Sequence, residues 1–184
     1  PVVQMDSVIG NKSGKVLLTM FSRNTNLLLA FLRDHNTARS VLDVFNDLYA
    51  MFGRETYCRL FPVILTDRGS EFSNPVPIEQ DENDELRSLV FYCNPSAPYQ
   101  KGGIEVAHEL VRRVLPKGKS FDDLQQEDID LMLSHINSYK RGKLNSRSAY
   151  QLFNFIYGDD ILPKLNIREI EANDIVLSPK LLKK

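Results

Sequence analysis

From its first residues the chain alternates short apolar runs with turn-forming residues. Val2 to Val8 reads as a strand in which Val2, Gln4, Asp6 and Val8 share one face. Lys15 to Phe21 and Asn26 to Leu32 read as two more, set off by the turn residues Asn11-Lys12-Ser13-Gly14 and Ser22-Arg23-Asn24. Three strands joined this closely form an antiparallel meander. At Ser40 the period lengthens to that of a helix running to Phe52. Val41, Val44, Phe45, Leu48, Met51 and Phe52 fall on one face, and Gly53 supplies a stop. Phe61 to Thr66 is again a short β-rich run. Because a helix precedes it, the crossover rule pairs it parallel to the first strand.

Ser88 to Cys93 is a further strand, and Asn94 to Gly103, rich in proline and glycine, is a loop. Ile104 to Leu115 follows as a helix with Ile104, Ala107, Val111 and Val114 as its apolar stripe, closed by Pro116 and Gly118. Asp122 to Tyr139 and Ser148 to Tyr157 read as two more helices. The tail from Asp160 carries enough apolar residues to dock on a core. Three strands, helix, strand, helix or loop, strand, then helices is the order of a ribonuclease-H-like domain: an α/β fold with a five-stranded mixed sheet flanked by helices. Residues 1–157 form the expected core, and 158–184 an extension packing on it or trailing from it. Pro1 stands directly before a strand, so the chain is expected to be an excised domain lacking any upstream binding module.

Composition changes this picture little. With 184 residues, 42% of them hydrophobic, one sizeable core is the default. The net charge of -1 offers no overall basic signature, but the charges are unevenly placed. Lys101, Arg112, Arg113, Lys117 and Lys119 outnumber Glu105 and Glu109 in one stretch, and Lys140, Arg141, Lys143 and Arg147 form a second basic group. Such asymmetry permits a phosphate-binding face on a neutral protein, although ordinary solvated faces account for either cluster alone. Two cysteines, Cys58 and Cys93, show no zinc-type spacing and suit a reducing compartment. No segment is apolar enough to span a membrane, and no signal peptide opens the chain.

Three carboxylates carry the candidate chemistry. Asp6 interrupts a partly apolar strand face, where an unpaired buried carboxylate costs several kcal/mol, about 3 or more; an exposed edge strand would remove that cost. Asp67, in Leu65-Thr66-Asp67-Arg68-Gly69-Ser70-Glu71-Phe72, ends a strand at a glycine turn, and Asp-x-Gly is equally common turn chemistry. Glu105 opens a helix, where it either complements the helix dipole or holds a cation. Glu105-x-x-His108 also has the spacing of a di-iron ligand pair, but no second such pair is present. His35 and His135 require no chemical role. P-loop, dinucleotide and Gly-x-Ser-x-Gly motifs are absent from the sequence.

Taken together, Asp6-Ser7-Val8-Ile9-Gly10, the Asp67 run and Asn94-Pro95-Ser96-Ala97-Pro98-Tyr99-Gln100-Lys101-Gly102-Gly103-Ile104-Glu105 resemble the integrase catalytic core of bacterial transposases, nearest the insertion-sequence thirty family. Pro116-Lys117-Gly118 and the Asn137 to Phe153 stretch add to the resemblance, which covers roughly residues 2 to 155. Tyr99 stands where that family has Trp, Ser148-Ala149 replaces Thr-Pro and Gln151 replaces Glu. The resemblance implies that Asp6, Asp67 and Glu105 are the catalytic and metal-binding residues. Two Mg²⁺ ions, with Mn²⁺ as a substitute, are expected in the DNA-bound state for phosphodiester cleavage and strand transfer. Arg68, Tyr99, Lys101, Arg112, Arg113, Lys117, Lys119, Lys140, Arg141 and Lys143 are the implied DNA contacts. The implied partners are double-stranded DNA and further copies of the chain, with no membrane and no small-molecule cofactor, in the bacterial cytoplasm and at the nucleoid when acting. A hydrolysis-only nuclease of the same fold and a non-catalytic, transposase-derived DNA-binding module are the alternatives.

Overall fold

The computed structural model describes residues 1–11, 13–94 and 97–182, without the side chains of Pro98 and Lys143. Lys12 of the first expected turn, Pro95 and Ser96 of the expected loop, and the Lys143 side chain therefore lie outside the described residues. Five strands, β1 (Val2–Ile9), β2 (Val16–Ser22), β3 (Leu28–Arg33), β4 (Val63–Thr66) and β5 (Leu89–Tyr92), form one sheet in the order β3-β2-β1-β4-β5. The first three pair antiparallel, and β1–β4 and β4–β5 pair parallel. The meander and the crossover are as the sequence pattern predicts. β1 is central, which removes the edge-strand reading of Asp6.

Helix α1 (Ala38–Leu60) starts at a Thr37–Ser40 capping box and lies over the face of β1 that carries Val3 and Met5. Gly53 interrupts it at φ 72°, ψ 163°, a conformation that favours glycine. The predicted stop at Gly53 is thus a break: the helix resumes and buries Tyr57 and Leu60. A short helix, α2 (Val76–Glu79), lies where the sequence allows either helix or loop and leads towards β5. Helix α3 (Gly102–Val114) crosses β1 and β2 on the Gln4–Asp6 face and buries Ile104, Ala107, Leu110, Val111 and Val114. Helix α4 (Gln126–Ser138) begins later than the predicted Asp122. Asp122 is spent instead on Lys15 N at 2.8 Å and Ser120 Oγ at 2.7 Å, and a Gln125–Asp128 capping box starts the helix.

Both edges of the sheet are covered by side chains. On β3, Asn137 of α4 accepts from Leu28 N (2.9 Å) and donates to Leu28 O (2.8 Å), while Gln126 accepts from Leu32 N (2.8 Å) and donates to Ala30 O (3.0 Å). On β5, Glu79 Oε1 accepts from Val90 N at 2.8 Å. Helices α5 (Ala149–Tyr157) and α6 (Ile161–Lys164) close the end of the core. The tail is pinned to α4: Ser134 Oγ accepts from Arg168 N, Ser138 Oγ from Ile170 N and His135 Nδ1 from Val176 N. Ile161, Leu162, Leu165, Ile167 and Leu182 are buried in the common core. Among the described residues no helix is long and apolar enough to cross a membrane.

Candidate active site

The parallel register of β1 and β4 sets Gln4 against Leu65, so Asp6 and Asp67 come level two positions further along. Each carboxylate is held the same way. Asp6 Oδ1 accepts from Ser7 N at 2.8 Å, and Asp67 Oδ1 accepts from Gly69 N at 3.0 Å. That leaves both Oδ2 atoms facing one group, the Lys101 ammonium, at 3.0 Å each. Asp67 thus makes the glycine turn with one oxygen and presents the other to Lys101. Glu105, exposed in the first turn of α3, lines the same open cleft with Asp6, Asp67, Cys93, Asn94, Ala97 and Lys101. The structure thus brings together the three carboxylates singled out from the sequence. Larger clefts lie elsewhere, but none of them gathers these three side chains.

Lys101 is only 6% exposed, which decides its role in this conformation: it neutralises carboxylates rather than reaching into solvent. Burial pushes its pKa down, but Asp6 and Asp67 more than offset this, so the ammonium is held above its ordinary value. Among the described residues no group of three or more His, Cys, Asp or Glu side chains is gathered tightly enough to hold an ion as it stands. The donor set nevertheless suits a hard divalent cation. Two carboxylate oxygens already converge on a positive charge, and a third carboxylate stands on the same wall.

The supports of this site were not visible in the sequence. Gln4, buried on β1 beside Asp6, accepts from Ile104 N at 2.8 Å and donates to Gln100 O at 2.7 Å. It caps α3, which has no side-chain cap of its own, and ties the Lys101 turn to the Asp6 strand. Gln100 Oε1 in turn accepts from Asn94 N at 2.8 Å. Gly103 permits the approach: a Cβ there would lie 2.6 Å from Phe21 Cε1 and 2.8 Å from Gln4 Oε1. Thr19 Oγ1 donates to Asp6 O at 2.9 Å, so its 2.8 Å contact with His108 is a bond donated by Nε2–H. His108 is thereby spent on Thr19, and burial lowers its pKa, so the di-iron spacing has no counterpart here. The one sequence hint of these roles was that Gln4 and Asp6 share a face.

A second network braces the Asp67 turn. Arg33, buried and lowered to about 10 by burial against the opposing field of Glu71, donates to Ser40 Oγ, Ser7 Oγ and Asn36 Oδ1. Asn36 donates to Glu71 Oε1 at 3.0 Å. Burial raises Glu71, but the bonds from Asn36, the backbone and Ser7, with the Arg33 charge, leave its pKa below the ordinary value. Glu71 thus binds Asn36 rather than its chain neighbour Arg68, and Arg68 lies 5.9 Å from the centre of the Tyr92 ring.

The other expected DNA contacts divide by exposure. Tyr99 is exposed at 79%, and Arg113, Lys117, Lys119 and Lys140 are exposed as well. Arg112 is half-buried and donates to Ile9 O at 2.9 Å, which fastens α3 to the end of β1. Arg141 is buried beside a bridge to Arg147, and its Nε and Nη2 lack a protein partner. Neither therefore offers its charge on an open surface as the sequence reading expected.

A five-stranded sheet of three antiparallel strands followed by two parallel ones, flanked by helices, is the ribonuclease-H-like arrangement, and here carboxylates from within β1 and from just past the end of β4 face one cleft. The catalytic core of BIV integrase is similar over 85% of this chain and 92% of that one, with a TM-score of 0.55 at 21% identity. An integrase in a simian T-cell lymphotropic virus intasome has a TM-score of 0.60 at 17% identity, covering 92% of this chain and 58% of that one. In sequence, a Spiroplasma virus SpV1-R8A2 B protein named as an integrase is 28% identical over 151 residues, 82% of this chain and 45% of that protein. The transposase of insertion sequence element IS4351 from Bacteroides fragilis is 23% identical over 151 residues, 82% of this chain and 44% of its own length. That of IS30A from Escherichia coli is 22% identical over 147 residues, 80% of this chain and 36% of its own length. The chain thus spans less than half the length of these relatives, and no family model matches it. It is a relative of transposases and integrases, the IS30 transposases among them, with an integrase catalytic core's fold.

Proposed function

We propose that this chain is the catalytic domain of a DNA transposase or integrase, a polynucleotidyl transferase that cuts at the ends of a mobile element and joins them to a target. The observation that carries the reading is that Asp6, within β1, and Asp67, just past β4, stand level, each with one oxygen held by a backbone N–H and the other turned towards Lys101 in the site. Asp6, Asp67 and Glu105 are the residues that would hold Mg²⁺, or Mn²⁺ in its place. A divalent ion supplies activation of the attacking oxygen and stabilisation of the leaving one. The chain's own residues do the rest. Gln4 and Gly103 set Glu105 and Lys101 against Asp6, while the Arg33–Asn36–Glu71 network keeps the Asp67 turn in place. Tyr99 offers an exposed ring to a base, and Arg113, Lys117, Lys119 and Lys140 offer charge to phosphates.

In this reading residues 1–157 are the catalytic core and 158–184 pack on it. The acting form is an oligomer on double-stranded DNA in the bacterial cytoplasm, at the nucleoid. The test is a strand-transfer assay with pre-cut ends in Mg²⁺ or Mn²⁺, comparing the parent with Asp67→Asn. The expected result is joining by the parent and none by the variant, with an unchanged circular dichroism spectrum. Full joining by Asp67→Asn would sink the assignment. Cleavage without joining by the parent would identify a hydrolysis-only nuclease.

A further inference from the structure

Lys101, expected as a phosphate contact, is turned inward in this conformation. Its ammonium lies midway between the two carboxylates that would hold a cation, 3.0 Å from each, and its side chain is 8% exposed. It sits at the last residue of a 3-10 turn (Pro98–Lys101) whose main chain is tied to β1 through Gln100 O and Gln4, so the backbone is anchored and any transfer of the ammonium must come from rotation of the long side chain. Resting on the metal-dependent reading above, we infer that Lys101 is a built-in counter-ion that keeps the carboxylate pair closed to metal until a DNA phosphate takes the ammonium over.

Charge arithmetic supports the exchange. Two carboxylates with Lys101 carry a net charge of about -1, and adding a divalent ion beside the ammonium forces two cations into one small site. Moving the ammonium to a phosphodiester leaves two carboxylates for the ion and one phosphate for the lysine, so neither step strands a charge. The carboxylates are satisfied in the empty protein, and metal entry is linked to substrate arrival. Glu105, the third carboxylate lining the cleft, forms no ion pair with Lys101, and Cys93, Asn94 and Ala97 carry no charge there, which leaves Asp6 and Asp67 as the ion-pair partners of the ammonium among the described residues.

The experiment titrates Mn²⁺ alone, by electron paramagnetic resonance and calorimetry, into the unmodified chain, Lys101→Met and Lys101→Met/Asp67→Asn. Lys101→Met is expected to bind Mn²⁺ about tenfold or more tightly than the parent without DNA, and the double variant to lose that gain. A second measurement needs no variant. Acetylation of Lys101 in the unmodified chain, read by mass spectrometry, is expected to stay slow at Mn²⁺ concentrations that already load Lys101→Met and to rise several-fold only at the higher concentrations that force the ammonium out. Equal Mn²⁺ affinity in parent and Lys101→Met, with unchanged Lys101 labelling, overturns the counter-ion role while leaving the metal reading intact. A gain in Lys101→Met that survives Asp67→Asn places the ion outside the carboxylates and overturns both.

Discussion

Gln4 offers the sharpest test of how the site is assembled, because one buried amide links the Asp6 strand, the Lys101 turn and the Glu105 helix. Gln4→Met keeps length and volume but removes both hydrogen bonds, leaving Ile104 N and Gln100 O unpartnered in a position that is 2% exposed. Each orphaned backbone group costs about 1–3 kcal/mol, so the pair costs roughly 2–6 kcal/mol, less what the apolar side chain recovers. For a domain of this size about 3 kcal/mol lowers Tm by roughly 6–12 °C. Gln4→Glu refines the test. A protonated carboxyl restores both bonds, while the ionised form has no hydrogen for Gln100 O and adds charge beside Asp6. Burial raises the folded-state pKa above the unfolded value of about 4.3, so the deficit is present at neutral pH and shrinks as pH falls through the raised pKa. Thermal melts from pH 7.5 to 5 and hydrogen exchange at Ile104 measure both effects. A Gln4→Met protein that melts within about 1 °C of the parent, with Ile104 N–H still protected, would refute the reasoning.

Gly103→Ala should cost about 1–3 kcal/mol by driving a Cβ against Phe21 and Gln4, read as a lowered denaturant midpoint; an unchanged midpoint would show that the contact relaxes freely. Burial, aided by Arg168 and opposed by Asp174, holds His135 below its ordinary pKa, so its contribution is complete above the unfolded value of about 6.5 and fades as pH falls through the lowered folded value. Exchange at Val176 N–H, corrected for intrinsic rate, should therefore quicken between pH 7.5 and 5, and a flat profile would remove His135 from the tail's anchorage. Replacing Lys117, Lys119 and Lys140 with Gln should reduce the slope of log K against log salt for DNA binding by about 2–3, and an unaltered slope would place the DNA on another face.

Much of this architecture was legible because it is periodic or local. The strand alternation around Asp6, the helical stripe from Val41 to Phe52 and the glycine turn at Asp67 each announce themselves within a few residues. The Gly53 break was legible as a stop but not as a resumption, because a lone glycine does not say whether the chain continues in the same direction. Helix α2 spans four residues, too few for a period to register. The supports of the site were hidden for a different reason. Gln4 reaches Ile104 across 100 positions and Asn137 reaches Leu28 across 109, and a polar side chain bonded to distant backbone leaves no pattern of its own. The basic clusters misled in part for the same reason: Arg112 is drawn to a backbone carbonyl, and Arg141 is enclosed by the fold.

The amides along β3 bear on how copies of this chain can meet. An open edge strand is a template on which another chain can zip its own backbone. Here an incoming strand would find Leu28, Ala30 and Leu32 already answered by Asn137 and Gln126, and it would have to break those bonds before making its own. Growth of the sheet from one subunit into the next is thereby penalised at its outset. In the proposed DNA-bound assembly, contacts made at this edge would join side-chain surfaces, whose pairing is set by shape and charge and can be undone without unravelling the subunits.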